Sequence, residues 1–202
     1  MASSFDARAK TWDENPGRRQ MAADLFAALE PRVPLHADMA VLDYGAGTGL
    51  LTFALAARVG RVVAVDSSAG MLEVLAQKAK AGGFDHVDAL LADFSKDPLS
   101  LGPFDLVTSA MTLHHVADTE SLFRNFFRVL ADGGRIALAD LDAEDGTFHA
   151  SNDGIHHFGF DRAVFAKQLA DAGFVDIRLA TAIRVEKNSR VYPVFLATAR
   201  KP

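Results

Sequence analysis

Cysteine is absent from this sequence. Its absence excludes disulfide stapling, thiolate nucleophiles and cysteine-bound zinc or iron–sulfur sites, and leaves the redox compartment open. Basic residues are outnumbered: 21 Lys plus Arg face 26 Asp plus Glu, for a formal charge of −5. They form no block that could track a phosphate backbone, so nucleic acid is not an expected partner. Long apolar runs are missing too. The first residues, MASSFDARAKTWDENPGRR, hold no apolar core of a secretory signal, and no run approaches the roughly 18 apolar residues of a membrane helix. A soluble cytoplasmic protein without membrane association is the expectation.

Apolar residues are not scarce. They make up 50% of the 202 positions, enough to bury one sizeable core in one globular domain. After a polar N-terminal arm, short β-branched runs alternate with longer helical patterns, which predicts βαβ units and a parallel sheet. Residues 17–30 place Met21, Leu25, Ala28 and Leu29 on one helical face, and Pro31 and Pro34 stop that helix. MAVLDYG reads as the first strand, RVVAVD as the second, HVDALLADF as the third, FDLVTSA as the fourth and RIALADL as the fifth. Helices are expected near 50–58, from a Ser67 or Ser68 cap to about Gly82, over 119–130, and over 161–172. FVDIRLATAIRVE and VYPVFLATARK, joined through KNSR, predict a closing antiparallel hairpin. The fold class is thus α/β: a Rossmann-like, doubly wound, mostly parallel seven-stranded sheet with helices on both faces. Residues 1–37 form an arm and helix, a candidate lid, and 38–202 the main domain. Phe26, Phe123, Phe126 and Phe127 fall at helical positions and are read as core.

The segment VLDYGAGTG, residues 41–49, carries three glycines at alternate positions after an apolar strand. In such a sheet, ligands bind beyond the carboxyl ends of the strands, where glycine lets backbone approach closely. A dinucleotide fingerprint beginning at Gly45 needs a glycine at position 50, and Leu50 stands there. Asp66 ends the second strand about 20 residues after the loop, where a carboxylate can accept hydrogen bonds from ribose hydroxyls. Each piece also has a plain structural reading, the loop as a tight turn and the acid as a helix cap.

Several segments in order resemble the class I S-adenosylmethionine-dependent methyltransferases, specifically the small-molecule methyltransferase-domain group. The likeness covers about residues 38–200: VLDYGAGTG is similar to the first family motif, VVAVDSS with GML to the second, LLADF to the third, and FDLVTSAMTLHHV with RVLADGGRI to later ones. The resemblance implies S-adenosylmethionine as cofactor. It places the backbone of Gly45, Ala46, Gly47 and Gly49 against the methionine portion, with Asp43 orienting the loop or the amino group. It assigns Asp66 to the ribose, Ser67, Ser68 or Met71 to the flank of the adenosine, Asp93 to the adenine amino group, and Phe94 to the ring. Ala110 and Met111 would line the cofactor at the end of strand four.

A sulfonium methyl is already electrophilic, so transfer needs mainly an aligned nucleophile shielded from water. A hydroxyl or acidic-carbon acceptor also benefits from a general base, for which histidine is suited at neutral pH. Candidates cluster in TLHHVAD, with His114 and His115, and in HHFGF, with His156, His157 and Phe158. His115, His156 and His157 are the candidate catalytic or acceptor-site residues. Because LHH after the fourth strand is common to family members with different acceptors, the first pair also has a structural reading. His149, Asp142, Glu144 and Asp145 could add to an acidic, histidine-rich acceptor site. Trp12, His114 and Phe158 are assigned to the acceptor pocket and lid. No metal is expected, since no His or carboxylate pair shows helical ligand spacing. The predicted function is S-adenosylmethionine-dependent methyl transfer to a small-molecule O, N, C or S acceptor. The alternative is a non-catalytic regulatory module that binds the cofactor or a nucleoside, and a nicotinamide oxidoreductase is disfavoured by Leu50.

Overall fold

The computed structural model describes residues 5–93 and 101–202. Seven strands form one sheet: β1 (Ala40–Tyr44), β2 (Arg61–Asp66), β3 (Val87–Leu91), β4 (Phe104–Ala110), β5 (Leu130–Leu141), β6 (Val175–Lys187) and β7 (Arg190–Arg200). Their order is β3-β2-β1-β4-β5-β7-β6. Strands β1 to β5 run parallel, and β7 lies antiparallel between β5 and β6. The order reverses between β1 and β4, which opens a crevice outside their carboxyl ends.

Helices α1 (Pro16–Leu29), α2 (Leu50–Ala56), α3 (Ala69–Gly82), α4 (Thr119–Val129) and α5 (Arg162–Asp171) cover the sheet. Alternate residues of the strands feed two cores. Leu42 and Val107 join Phe123, Phe126 and Phe165 of α4 and α5 on one face, while Val41 and Leu106 join Leu25, Leu29, Leu51 and Leu55 of α1 and α2 on the other. With both faces covered, β2 and β4 are buried along nearly their whole length, as their unbroken apolar runs require. Phe123, Phe126, Phe165 and Phe195 are fully buried, each stabilising the fold by roughly 2–3 kcal/mol. Phe26 and Phe127 pack at the core margins.

Two elements depart from the sequence expectation. Strand β5 begins at Leu130 rather than after ADGG, because Leu130 pairs with Phe104 and the register then shifts to place Leu106 beside Arg135. Gly133, at φ +79°, donates its N–H to the Lys201 carbonyl and so pins this bulge to the end of β7. The arm is not simply extended. Asp6–Glu14 winds into a 3-10 helix that docks on α3. The hairpin closes through Asn188 and Ser189, both left-handed at φ +52° and +58°, as a two-residue turn that follows the sheet twist demands.

Candidate active site

The glycine turn, Gly45 to Gly49, joins β1 to α2. Gly45, Gly47 and Gly49 all have positive φ, at +71°, +56° and +88°. A Cβ at Gly45 would fall 2.2 Å from the Thr112 side chain and one at Gly49 2.6 Å from the Phe53 ring, whereas at Gly47 it would meet nothing within 4 Å. Two of the glycines therefore let the turn close against its neighbours, and Gly47 presents bare backbone to open space. Ala46 sits in the same turn, its N–H bonded to the Val65 carbonyl.

Two carboxylates brace the turn from beneath. Asp43 in β1 accepts from the Thr52 hydroxyl at 2.6 Å and the Thr108 hydroxyl at 2.9 Å. Burial pushes its carboxyl up to about 6, the two hydroxyls partly opposing this and the nearby Asp66 charge adding to it. Asp66 at the end of β2 accepts the Gly47 N–H and the Ser68 N–H, each at 2.8 Å. Burial raises its carboxyl as well, partly offset by those amides.

Ser68 caps α3, its hydroxyl oxygen accepting from the Met71 N–H at 3.2 Å. Met71 itself is buried beneath the helix start, and Ser67 is exposed at its rim. Asp93 follows β3, and burial first, with the Asp93 charge second, raises the Tyr44 phenol. Phe94 lies outside the described residues. Ala110 ends β4 across the crevice, and Met111 takes φ +56°, its N–H held by the Ala139 carbonyl. Such a conformation is costly for a side chain with a Cβ and tends to persist at functional sites.

The arm lies over this crevice. Asp6 accepts from the Ser68 hydroxyl at 2.6 Å and the Gly70 N–H at 2.9 Å, a favourable place for a carboxylate at a helix N-terminus. Asp13 takes the Thr48 hydroxyl at 2.5 Å and Lys78 Nζ at 2.7 Å. Trp12 rests with the Arg18 guanidinium 3.7 Å from its ring centroid and the Phe5 ring edge-on at 5.8 Å. Phe5 in turn meets the His115 ring edge-on at 5.2 Å.

Three histidines meet behind Phe5. Ring centroids of His114 and His115 are 4.2 Å apart, those of His114 and His149 4.9 Å, and those of His115 and His149 5.7 Å. His114 and Asp140 are both buried, Nδ1 lying 2.7 Å from the carboxylate. His115 Nδ1 bonds the Gly154 carbonyl at 2.9 Å. Burial, then the neighbouring His114, hold His115 and His149 down to about 4. The His114 and His149 Nε2 atoms are buried without a hydrogen-bond partner among the described residues. No group of three His, Asp or Glu side chains there is arranged to hold a metal ion.

The second histidine pair sits elsewhere. The backbone amides of His156 and His157 both donate to the His114 carbonyl, but the His156 side chain is exposed and His157 Nε2 bonds the Val116 carbonyl. Phe158 is 45% exposed beside Gly146. The loop acids serve the scaffold: Asp142 pairs with Arg162, Asp145 with Arg190, and Glu144 accepts the Thr147 and Phe148 amides. Sequence reasoning passed over Asp140, Asp6 and Lys78. Asp140 did leave a trace, being a carboxylate inside the apolar run RIALADL, a position that demands a buried partner.

Fold and site together define a Rossmann-like α/β protein with a glycine turn braced by two carboxylates at the carboxyl ends of β1 and β2. Residues 35–172 match the family described as a methyltransferase domain, and the chain belongs to that family within the class I S-adenosylmethionine-dependent methyltransferase superfamily. It is 32% identical over 154 residues to phosphoethanolamine N-methyltransferase 1 of Triticum aestivum, covering 72% of this chain and 30% of that protein. It is 39% identical over 101 residues to demethylmenaquinone methyltransferase of Clavibacter sepedonicus, covering 50% and 40%. The chain thus spans less than half the length of either relative. Haemonchus contortus phosphoethanolamine N-methyltransferase 2, solved with phosphomonomethylethanolamine and S-adenosylhomocysteine, superposes with TM-score 0.75 at 19% identity, over 89% of this chain and 52% of that one. At that identity the likeness is one of fold. No helix among the described residues is long and apolar enough to cross a membrane.

Proposed function

We propose that this chain is a cytoplasmic S-adenosylmethionine-dependent methyltransferase with a small-molecule acceptor. The observation that carries the reading is Asp66, fixed by the Gly47 and Ser68 amides beside a turn whose Gly47 backbone faces open space. That carboxylate would receive the ribose hydroxyls, and the bare turn at Gly45, Ala46, Gly47 and Gly49 would take the methionine portion. Asp43 keeps the turn in place through Thr52 and Thr108. Asp93, with Met71 and Ser67, would bound the adenosine, and Ala110 the opposite wall. When bound, the cofactor supplies an electrophilic methyl group on sulfur.

The rest falls to the protein: to exclude water and to orient the acceptor. The arm, latched through Asp6 and Asp13, serves as the lid, and Phe5 and Trp12 bring aromatic surface to its inner side. The formal charge of −5 favours a small acceptor over nucleic acid. Titration calorimetry with S-adenosylmethionine and with S-adenosylhomocysteine tests the reading. Binding of both at micromolar concentrations is expected, and heat from neither would remove it.

A further inference from the structure

We propose that a cavity under the end of α1, lined by Arg32, Arg178 and Thr198, is a second binding site, and that it takes a small organic phosphate monoester.

Strand pairing builds its floor. In the β6–β7 ladder Arg178 stands opposite Thr198, and Ala180 opposite Leu196, so these four side chains share one face of the sheet. Leu196 packs in the core that holds Leu25 and Leu29 of α1, which makes this the α1 face. Ala180 is the smallest of the four and leaves room beside the arginine. Pro31 and Arg32, just past the end of α1, supply the wall. Their turn is fixed: the Arg32 and Val33 amides donate to the Leu29 carbonyl at 2.8 and 3.1 Å, and Val33 is buried. The cavity holds about 290 Å3, at the lower end of the roughly 300–1,000 Å3 of small-molecule sites. Strands β4 and β5 stand between its floor and β1, so it is separate from the glycine turn.

Its lining is positive and unanswered. Arg178 and the Thr198 hydroxyl have no hydrogen-bond or ion-pair partner among the described residues, and the Arg32 guanidinium bonds the Ala28 carbonyl through Nη1 alone. No Asp or Glu lines the cavity. The neighbouring acids are taken, Glu30 by Arg58 and Asp176 by Arg200. Two guanidiniums on one small cavity repel each other until an anion joins them. Both arginines are exposed, which leaves the mouth open to an anion from solution.

The shape of the donor set selects the anion. Arg32 comes from the wall, Arg178 from the floor, and Thr198 adds a hydroxyl. Donors on separate elements suit the tetrahedral oxygens of a phosphoryl group, whereas a planar carboxylate is satisfied by one guanidinium fork. Pro31, Ala180 and Leu196 offer apolar surface to the organic part of an ester.

The test is calorimetry of the full chain with phenyl phosphate at physiological ionic strength, where diffuse attraction is screened. Saturable binding at one site is expected, the same with or without S-adenosylhomocysteine present. Inorganic phosphate should bind more weakly, and so should benzoate, which keeps the ring and replaces the phosphoryl group by a carboxylate. Arg32→Gln and Arg178→Gln should each weaken binding roughly tenfold or more, as expected for a lost charge-assisted hydrogen bond. Ala180→Phe keeps both charges but fills the space, and should abolish binding. All three positions are exposed, so native circular dichroism is expected of each variant. No saturable binding by the wild type overturns the proposal. So does an Ala180→Phe variant that binds as tightly as the wild type, since the attraction would then belong to the surface and not to the cavity. Benzoate binding as tightly as phenyl phosphate overturns the phosphoryl assignment. Failure of S-adenosylhomocysteine to bind would remove the methyltransferase reading and leave this site standing.

Discussion

At Asp66 one carboxylate holds the Gly47 and Ser68 amides together, so its removal leaves two donors unpaired at the proposed ribose position. Asp66→Ala is expected to weaken S-adenosylmethionine binding by roughly 1–3 kcal/mol, read by calorimetry on a variant with native circular dichroism. Unchanged affinity would displace the ribose from this acid. Asp43 makes a prediction of a different kind. Its carboxyl is raised from 3.8 to about 6 in the folded chain, so the folded state holds its proton more tightly than the unfolded chain does. The stabilisation from that proton is fully present below pH 4 and is lost as pH rises through about 6. Relative to Asp43→Asn, the wild type should therefore lose up to about 3 kcal/mol across that window in urea melts. Asp43 and Asp66 were legible as residues because each ends or fills an apolar strand next to the glycine turn. Asp140 was not read, since its meaning depends on His114, 26 positions away and brought close by strand pairing.

At the scale of elements, the strands were readable because sheets covered on both faces need continuous apolar runs, and β2 and β4 match their sequence bounds. The arm was not readable as structure. Its residues are polar and weakly periodic, and the contacts that fold it join Asp6 to Ser68 and Asp13 to Lys78, 62 and 65 positions apart. Trp12, the one tryptophan, reports on this element directly. Asp6→Ala should release the arm, shift Trp12 emission to the red and reduce the emission change on adding S-adenosylhomocysteine. An unaltered spectrum would mean that the arm is held independently of its Asp6 latch. The hairpin offers a cleaner energetic test. Ser189 sits at φ +58° in the two-residue turn, a conformation costing a residue with a Cβ about 1–2 kcal/mol, against roughly 0.5–1 kcal/mol of added chain entropy for glycine. Ser189→Gly should stabilise the fold by about 0.5–1 kcal/mol in urea melts.

For the whole molecule, the histidine cluster sets the acid limb of stability. His115 and His149 fall from 6.5 to about 4 on folding, so the unfolded chain takes up protons that the folded chain refuses. Their contribution is present above pH 6.5 and is lost as pH falls toward 4. Paired His115→Gln and His149→Gln substitutions should flatten the decline in unfolding free energy over that range, and an unchanged slope would place the acid sensitivity elsewhere. The order of the strands has a further consequence. Among the described residues, strand β6 hydrogen-bonds only β7 in the sheet, and β7 also covers the edge of β5. During synthesis, until residues 190–200 have left the ribosome, thirteen residues of β6 have no strand to join and the β5 edge stands open. The β5 edge is therefore open from the time it emerges, and β6 adds a second adhesive edge in the short interval before β7 follows it, which makes this late stage the one at which chaperone protection would matter most.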